Sequence, residues 1–412
     1  MKQAWLALSL VFAAQAPAQM VALTHATLID GTGAAPVKDV TIVMADGRIR
    51  AMGPSVRPPS DAAMVDATGK FVVPGIINAH GHVGEDRDPQ LRQYALYGVT
   101  TTTSMAIDPD DIAAFKNEQK RGLRGARILT VKYRFTSPPL PGSEYQTPAE
   151  ARAKVDEIVA TGADFIKVWV DAQDGRSPKL TPEFCAAVFD QARKHGMTTM
   201  AHIVEYEDAK KMVELGVNIL AHNVRDREID DAFIATLKQR NVSVISTLAR
   251  EEAMFVFGQS PAWIDDPFFL KGLRGEQAAG LAAKREQQAK MPDAARYEKA
   301  FAIDKINLKK LSDAGVRIAL GTDSGGDANR YFIQGFAEHH QMELMIQAGL
   351  TPMQVIEAFS KGAAETLRID KDFGTLAPGK AADLLVLARN PLDNITNMRS
   401  IDAVYLGGRK FE

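Results

Sequence analysis

The sequence predicts an α/β protein: a (β/α)8 TIM-like barrel with a small β-sandwich formed from both chain ends. Two observations carry this. Eight short apolar strand patterns alternate with helix-period stretches between about residues 74 and 369, and turn-punctuated strand patterns fill both ends. A chain of 412 residues is long enough for a barrel with an accessory domain, and 46% hydrophobic residues supply a large core, which excludes a disordered or fibrous protein. Lysine plus arginine (49) nearly balances aspartate plus glutamate (51), so the basic excess that a nucleic-acid or anionic-membrane partner needs is lacking. Cys185 is the single cysteine, which rules out a disulfide within the chain and a thiolate zinc cluster. A metal would have to be held by histidine, carboxylate or a group made from lysine.

Residues 1–18 read as a signal peptide. Met1-Lys2 gives a positive start, Ala4 to Ala14 is an apolar run too short to span a bilayer, and Ala16-Pro17-Ala18 places small residues where a signal peptidase cuts. The mature product, beginning near Gln19, is therefore expected in the periplasm or outside the cell, with no membrane partner after cleavage. Residues 19–73 and 370–412 are assigned to the sandwich. Its strands are Val21–Ile29, Val40–Val43, Arg48–Met52, Met64–Asp66, Ala382–Leu387 and Ala403–Leu406, with turns at Ala45-Asp46-Gly47, Ala67-Thr68-Gly69 and Gly407-Gly408. Residues 74–369 are assigned to the barrel. Its strands are expected at Gly75–Ala79, Thr100–Met105, Ala126–Val131, Asp164–Val170, Thr198–His202, Ile219–His222, Val242–Ser246 and Arg317–Gly321. The helices between them include Thr147–Ala160 and Glu207–Leu215. Residues 249–312 form a long insertion after the seventh strand, with Trp263, Phe268 and Phe269 in a loop and a charged helical stretch over Lys284–Lys310. On the catalytic face such an insertion serves as a lid or a substrate wall.

Active sites of this fold lie at the C-terminal strand ends, and polar residues collect there. The first strand ends in His80-Gly81-His82, the fourth carries Lys167 among Phe165, Ile166, Val168 and Trp169, the fifth and sixth end in His202 and His222, and the eighth runs into Asp323. His-x-His on an extended backbone puts two imidazoles on one side, within reach of one metal. Burial among apolar neighbours favours the neutral amine of Lys167, which reacts with carbon dioxide to give a carbamate. Taken singly, each residue has an ordinary explanation: core or surface histidines, a snorkelling or ion-paired lysine, an aspartate holding a turn. Together they place four imidazoles, a lysine and a carboxylate from five strand ends at one barrel mouth.

On these residues the chain resembles the amidohydrolase superfamily. The likeness extends to Phe71-Val72-Val73-Pro74-Gly75, to Asn78-Ala79-His80, and to the run from Gly374 to Leu384 that returns the chain to the sandwich. Within the superfamily the chain is most similar to imidazolonepropionase-like hydrolases, which include Xaa-Pro and other dipeptidases and N-acyl-amino-acid amidases. The resemblance implies two divalent metal ions, zinc by default: His80, His82 and Asp323 on the first, His202 and His222 on the second, and carboxylated Lys167 bridging them. Imidazolonepropionases proper use one metal and lack the bridging lysine, so Lys167 argues against that activity. A hydroxide bridging the metals would attack the substrate carbonyl, and Asp323 would carry its proton to the leaving nitrogen.

The function expected is therefore a binuclear metal-dependent hydrolase that cleaves an amide C–N bond of a dipeptide or N-acyl amino acid. The alternative within the enzyme class is a hydrolase of a cyclic amide, a lactone or ester, or a phosphotriester on the same metal core; outside it, a scaffold that kept the barrel without catalysis. Tyr133, Arg134, Arg225 and Arg250, in the loops after the third, sixth and seventh strands, are candidates for binding a substrate carboxylate. The oligomeric state is not legible, and a homo-oligomer is left open.

Overall fold

Strand-forming sequence from both ends of the chain meets in one sheet. The computed structural model describes residues 20–173, 175–273, 275–326 and 332–412, so the expected signal peptide over 1–18 lies outside the described residues. Strands Val21–Leu28, Val37–Ala45, Arg48–Gly53, Ala63–Asp66 and Phe71–Pro74 pair with Leu384–Leu387, Ile401–Leu406 and Arg409–Lys410 in an eight-stranded sheet. The seam is the antiparallel pair Phe71–Pro74 with Leu384–Leu387. Asp46 and Gly47 turn the hairpin between the second and third strands. Both adopt positive φ (51° and 77°), as a two-residue turn matched to the strand twist requires. Hydrogen bonding runs unbroken from one side to the other, so the strands expected to form a sandwich pair within a single sheet. One apolar cluster, with Leu23, Ile42, Met44, Leu384, Val386 and Tyr405, is its core. Bonds from Ile49 N to Lys380 O (2.9 Å) and from Ala382 N to Gly47 O (2.9 Å) tie the third strand to the segment before Leu384.

Between these ends, eight parallel strands follow in chain order: Ile76–Asn78, Val99–Ser104, Arg127–Thr130, Phe165–Trp169, Thr198–His202, Ile219–Leu220, Ser243–Ser246 and Ile318–Leu320. Each lies within two residues of its sequence-derived position. The first three form one sheet and the last five, joined by the short Arg134–Phe135, another. Backbone bonds cross both gaps: Asp164 N donates to Thr130 O at 2.8 Å between the third and fourth strands, and Ala79 N to Leu320 O at 2.8 Å between the first and eighth. Every strand thus neighbours the next, and the last returns to the first.

Side-chain alternation along these strands separates two cores. Ile77, Leu129, Phe165, Met200, Ile219 and Ile245 meet in an inner cluster. Ile166, Val168 and Val244 instead pack outward with the helices. The helix Pro148–Ala160 shows why the connections fold locally: Thr147 and Glu150 form a reciprocal capping box, and proline opens the first turn. The charged stretch expected as one helix over Lys284–Lys310 is two, Glu276–Ala289 and Ala294–Asp313. Pro292 lies in the break, where its missing N–H and its ring would disrupt a helix interior.

Candidate metal centre

The period-two alternation that sends Phe165 inward sends Lys167 inward as well, and its amine reaches the ends of the neighbouring strands. Lys167 Nζ lies 3.1 Å from His80 Nε2 and 3.3 Å from the carbonyl of Met105. His82 Nε2 is 2.6 Å from Asp323 Oδ1, and His80 Nε2 is 3.4 Å from the same oxygen. The rings of His80 and His222 are 4.6 Å apart, and those of His202 and His222 4.4 Å. All six residues expected as ligands are at most 4% exposed. His80, His222 and Asp323 present ligand atoms within 4.8 Å of one another. Strand ends distant in sequence therefore do converge.

Backbone geometry aims the two arms of this cluster. Gly81 separates the histidines of the first strand; a Cβ there would lie 2.6 Å from Thr102 Oγ1 and 3.0 Å from Tyr94 Oη, so only glycine fits. Asp323 sits at φ 55°, a left-handed conformation that aspartate tolerates better than most residues. The carbonyl of His80 accepts from both Thr322 N (3.0 Å) and Asp323 N (2.7 Å), which holds the carboxylate over the first strand.

Electrostatics sets the protonation state of three of the imidazoles. His80 and His222 are held well below the usual histidine range, chiefly by burial. His202 is pushed down to about 3 by burial, against the opposing pull of Asp171. Neutral rings are the form that binds a metal. The tautomer follows as well: His80 Nδ1 bonds to the Ala221 carbonyl (2.9 Å), which only accepts, so Nδ1 carries the proton and Nε2 keeps its lone pair. His222 Nδ1 is likewise engaged, by Thr247 Oγ1 at 2.6 Å. Its Nε2 is buried without a hydrogen-bond partner, and that of His202 meets only the Asp171 carboxylate, at 3.4 Å. A buried lone pair that meets no donor is costly unless a cation takes it, so the nitrogen and oxygen donors present fit a divalent metal.

Above the cluster opens a cavity of about 430 Å³. Trp169, Asp171, Arg225, Arg250 and Glu251 line its barrel side, and Arg296, Tyr297 and Ile303 of the helix Ala294–Asp313 line the other. Glu251 receives both arginines: Arg225 Nε at 3.0 Å and the terminal nitrogen of Arg250 at 2.8 Å. Arg225 also donates to the carbonyls of Ile203 and Asn223, so its guanidinium is largely committed to the protein. Arg250 Nε lies 3.8 Å from Asp323 Oδ2. Arg134 stacks over the Trp169 ring at 4.6 Å, behind the cavity wall. Tyr133 is placed elsewhere, its hydroxyl bonded to Glu144 and its ring against Phe135 and Tyr145.

With this geometry in place, the comparisons with known proteins are specific. The amidohydrolase family model matches residues 71–410. The chain belongs to the amidohydrolase family. Imidazolonepropionase from Deinococcus radiodurans is 23% identical over 85% of this chain and 86% of its own length. Enamidase from Eubacterium barkeri is 29% identical, over 42% of this chain and about half (47%) of that protein. A provisionally assigned prolidase from Bifidobacterium longum superposes with a TM-score of 0.78 at 25% identity, covering 96% of this chain and 95% of that one. The chain is thus a hydrolase acting on C–N bonds, of a metal-dependent family that takes small-molecule substrates, on a fold of TIM-barrel type.

Several residues of this amidohydrolase site have no signature in the sequence. Glu338, fully buried, accepts from Asn78 (2.6 Å), Thr322 (2.8 Å), Ser324 (3.0 Å) and the amide of Gly335 (2.6 Å), which clamps the flanks of the first- and eighth-strand ligands together. Asp171 lies 3.4 Å from His202 Nε2. Asp304, on the helix Ala294–Asp313, accepts from Asn223 (2.5 Å), while Asn307 of the same helix bonds to Val224 O (2.8 Å), Arg227 O (2.9 Å) and Ile229 N (2.9 Å). These buried bonds dock the helix on the loop after His222, so the insertion is a fixed wall of the cavity.

Burial, reinforced by Glu251, raises the Asp304 carboxyl to about 7. The sign of the linkage follows. A carboxyl raised in the folded state loses stability as pH climbs from its unfolded value near 4, and the loss is complete above about 7. Asp304→Asn keeps an acceptor for Asn223 and removes the ionisation. Its thermal stability relative to wild type is therefore expected to rise between pH 4 and 7 and then level off, as measured by calorimetry across that range; a flat difference would contradict the assignment.

Proposed function

We propose that this amidohydrolase is a binuclear metal-dependent enzyme that cleaves the amide bond of a dipeptide or N-acyl amino acid. The observation that carries the reading is the buried convergence of His80, His82, Lys167, His202, His222 and Asp323, with Nε2 of His222 left without a hydrogen-bond partner. In this reading His80, His82 and Asp323 would hold one ion, His202 and His222 the other, and carboxylated Lys167 would serve both. Zinc suits the donors, and the strands holding them close into a barrel beside the terminal sheet. Divalent ions bound there supply Lewis-acid polarisation of the carbonyl and a nucleophilic hydroxide at neutral pH.

The chain's own residues perform the rest. Asp323, whose Oδ1 faces His82 and His80, accepts the proton of the attacking water and delivers it to the departing nitrogen. Arg250, 3.8 Å from Asp323 Oδ2, orients the carboxylate and meets the anionic end of the substrate at the cavity. Trp169 and Tyr297 offer an apolar surface to the substrate's other side. The provisional prolidase assignment of the Bifidobacterium structure agrees with a peptide-like amide. An export signal over residues 1–18 would place the enzyme in the periplasm or outside the cell, where such substrates occur.

A second reading, a neutral cyclic amide, lactone, ester or phosphotriester, is favoured by one feature: Glu251 already neutralises part of both Arg225 and Arg250. A matched pair decides between them. The free acid of an N-acyl amino acid is expected to show a higher kcat/KM than its amidated counterpart, and Arg250→Ala to erase that preference. Equal rates for the pair, or preference for a lactone, would favour the second reading.

Asp323→Asn is expected to lower kcat by about 10²–10⁴-fold with KM little changed, since the amide cannot take the proton. Metal content measured on the same sample separates loss of the base from loss of a ligand. A fully metallated variant with near wild-type kcat would exclude Asp323 as the base.

A further inference from the structure

A second cavity, larger than the one at the mouth, lies at the opposite end of the barrel from the candidate metal centre. It measures about 850 Å³ and shares no lining residue with the mouth. Its walls come from the N-terminal ends of the third and fourth strands, the turn after the helix Ile112–Gln119, and the terminal sheet at Arg48 and Leu406–Phe411. Ligand sites favour such seams between structural units.

Its electrostatics is one-sided. The chain as a whole carries a net charge of −2, yet seven cations face this cavity against three carboxylates. All three carboxylates are already committed: Asp372 to Arg48 (2.8 Å), Asp164 to Lys116 (2.6 Å), and Asp46 to Arg50 outside the cavity. Arg127 is held by Asp383 (2.8 Å) and lies over the Phe373 ring at 4.2 Å. Lys120, Arg121, Arg409 and Lys410 have no carboxylate partner among the described residues. They come from two distant chain segments and are exposed at the rim. Beneath them the floor is apolar, with Leu123, Ile128, Phe373 and Phe411. A cleft of one sign with low-dielectric walls concentrates field and counter-ions.

We infer that this cavity is a second binding site, for a soluble amphiphilic anion: a carboxylate, sulfonate or phosphate head held by the rim cations, and an apolar body on the floor. The concave shape suits a small molecule more than a flat membrane surface, and the distance from the mouth makes the ligand an effector rather than a substrate. Arginine at two of the four rim positions supplies the forked donors that oxyanions prefer.

The test uses the full chain and two fluorescent dyes of similar body, 8-anilinonaphthalene-1-sulfonate and the uncharged N-phenyl-1-naphthylamine. The sulfonate dye is expected to bind saturably, one per chain, and more tightly than its uncharged analogue, with affinity falling as salt rises. The triple variant Arg121→Ser/Arg409→Ser/Lys410→Ser should weaken the sulfonate dye about tenfold, or about 1.4 kcal/mol. It should leave the neutral dye and hydrolysis unaffected. Arg250→Ala, at the mouth, should leave both dyes unaffected. Equal binding of the two dyes, no loss in the triple variant, or loss in Arg250→Ala would overturn the site. Sedimentation with phosphatidylglycerol vesicles that depends on the same three residues would reassign the rim to a membrane surface.

Discussion

One carbonyl organises the candidate metal centre. The His80 oxygen accepts from the amides of both Thr322 and Asp323, and so joins the end of the first parallel strand to the end of the eighth. Without that seam, Asp323 would not stand 2.6 Å from His82 Nε2, and the left-handed turn that aims it would have nothing to hold it. Glu338 reinforces the seam from below, because its carboxylate gathers Asn78 on one strand and Thr322 and Ser324 on the other. The eight-strand order has the same consequence at larger scale, since it brings ligands separated by more than two hundred residues to one buried point.

Burial then does two jobs. It holds His80, His202 and His222 neutral, which is the state a metal requires, and it leaves Nε2 of His222 without a hydrogen-bond partner. The mouth above is built on different terms. There Glu251 divides its charge between Arg225 and Arg250, and the helix Ala294–Asp313 is fixed by Asp304 and Asn307. The helix and the shared countercharge shape the mouth, while the converging strand ends form the candidate metal site.

The parts of this arrangement that were legible in the sequence share a local signature. Short apolar runs bounded by turns gave the strands within two residues, and the apolar neighbours of Lys167 marked it as a buried amine. The strand-end histidines and Asp323 were readable because the fold assigns catalysis to those ends. What stayed hidden depends on contacts between distant segments. Glu338, His339 and His340 sit in a helix whose faces are all buried, so it shows no amphipathic stripe to interpret. Glu251 follows Arg250 directly, and nothing local distinguishes it from a surface charge until Arg225 is brought beside it. The pairing of Gly81–His82 with Ser324–Gly325 spans two residues per strand, too few for any periodicity.

The account stands on the claim that the six converging residues are a metal centre for two ions with Lys167 between them. Metal content per chain, measured in parallel for the wild-type protein and for Lys167→Ala after growth with zinc or manganese, tests it most directly. The account predicts two ions per chain in the wild type and at most one in the variant, with a short carboxylic acid restoring part of the loss. A wild-type protein that retains no metal, or a Lys167→Ala variant that still holds two ions, would contradict it.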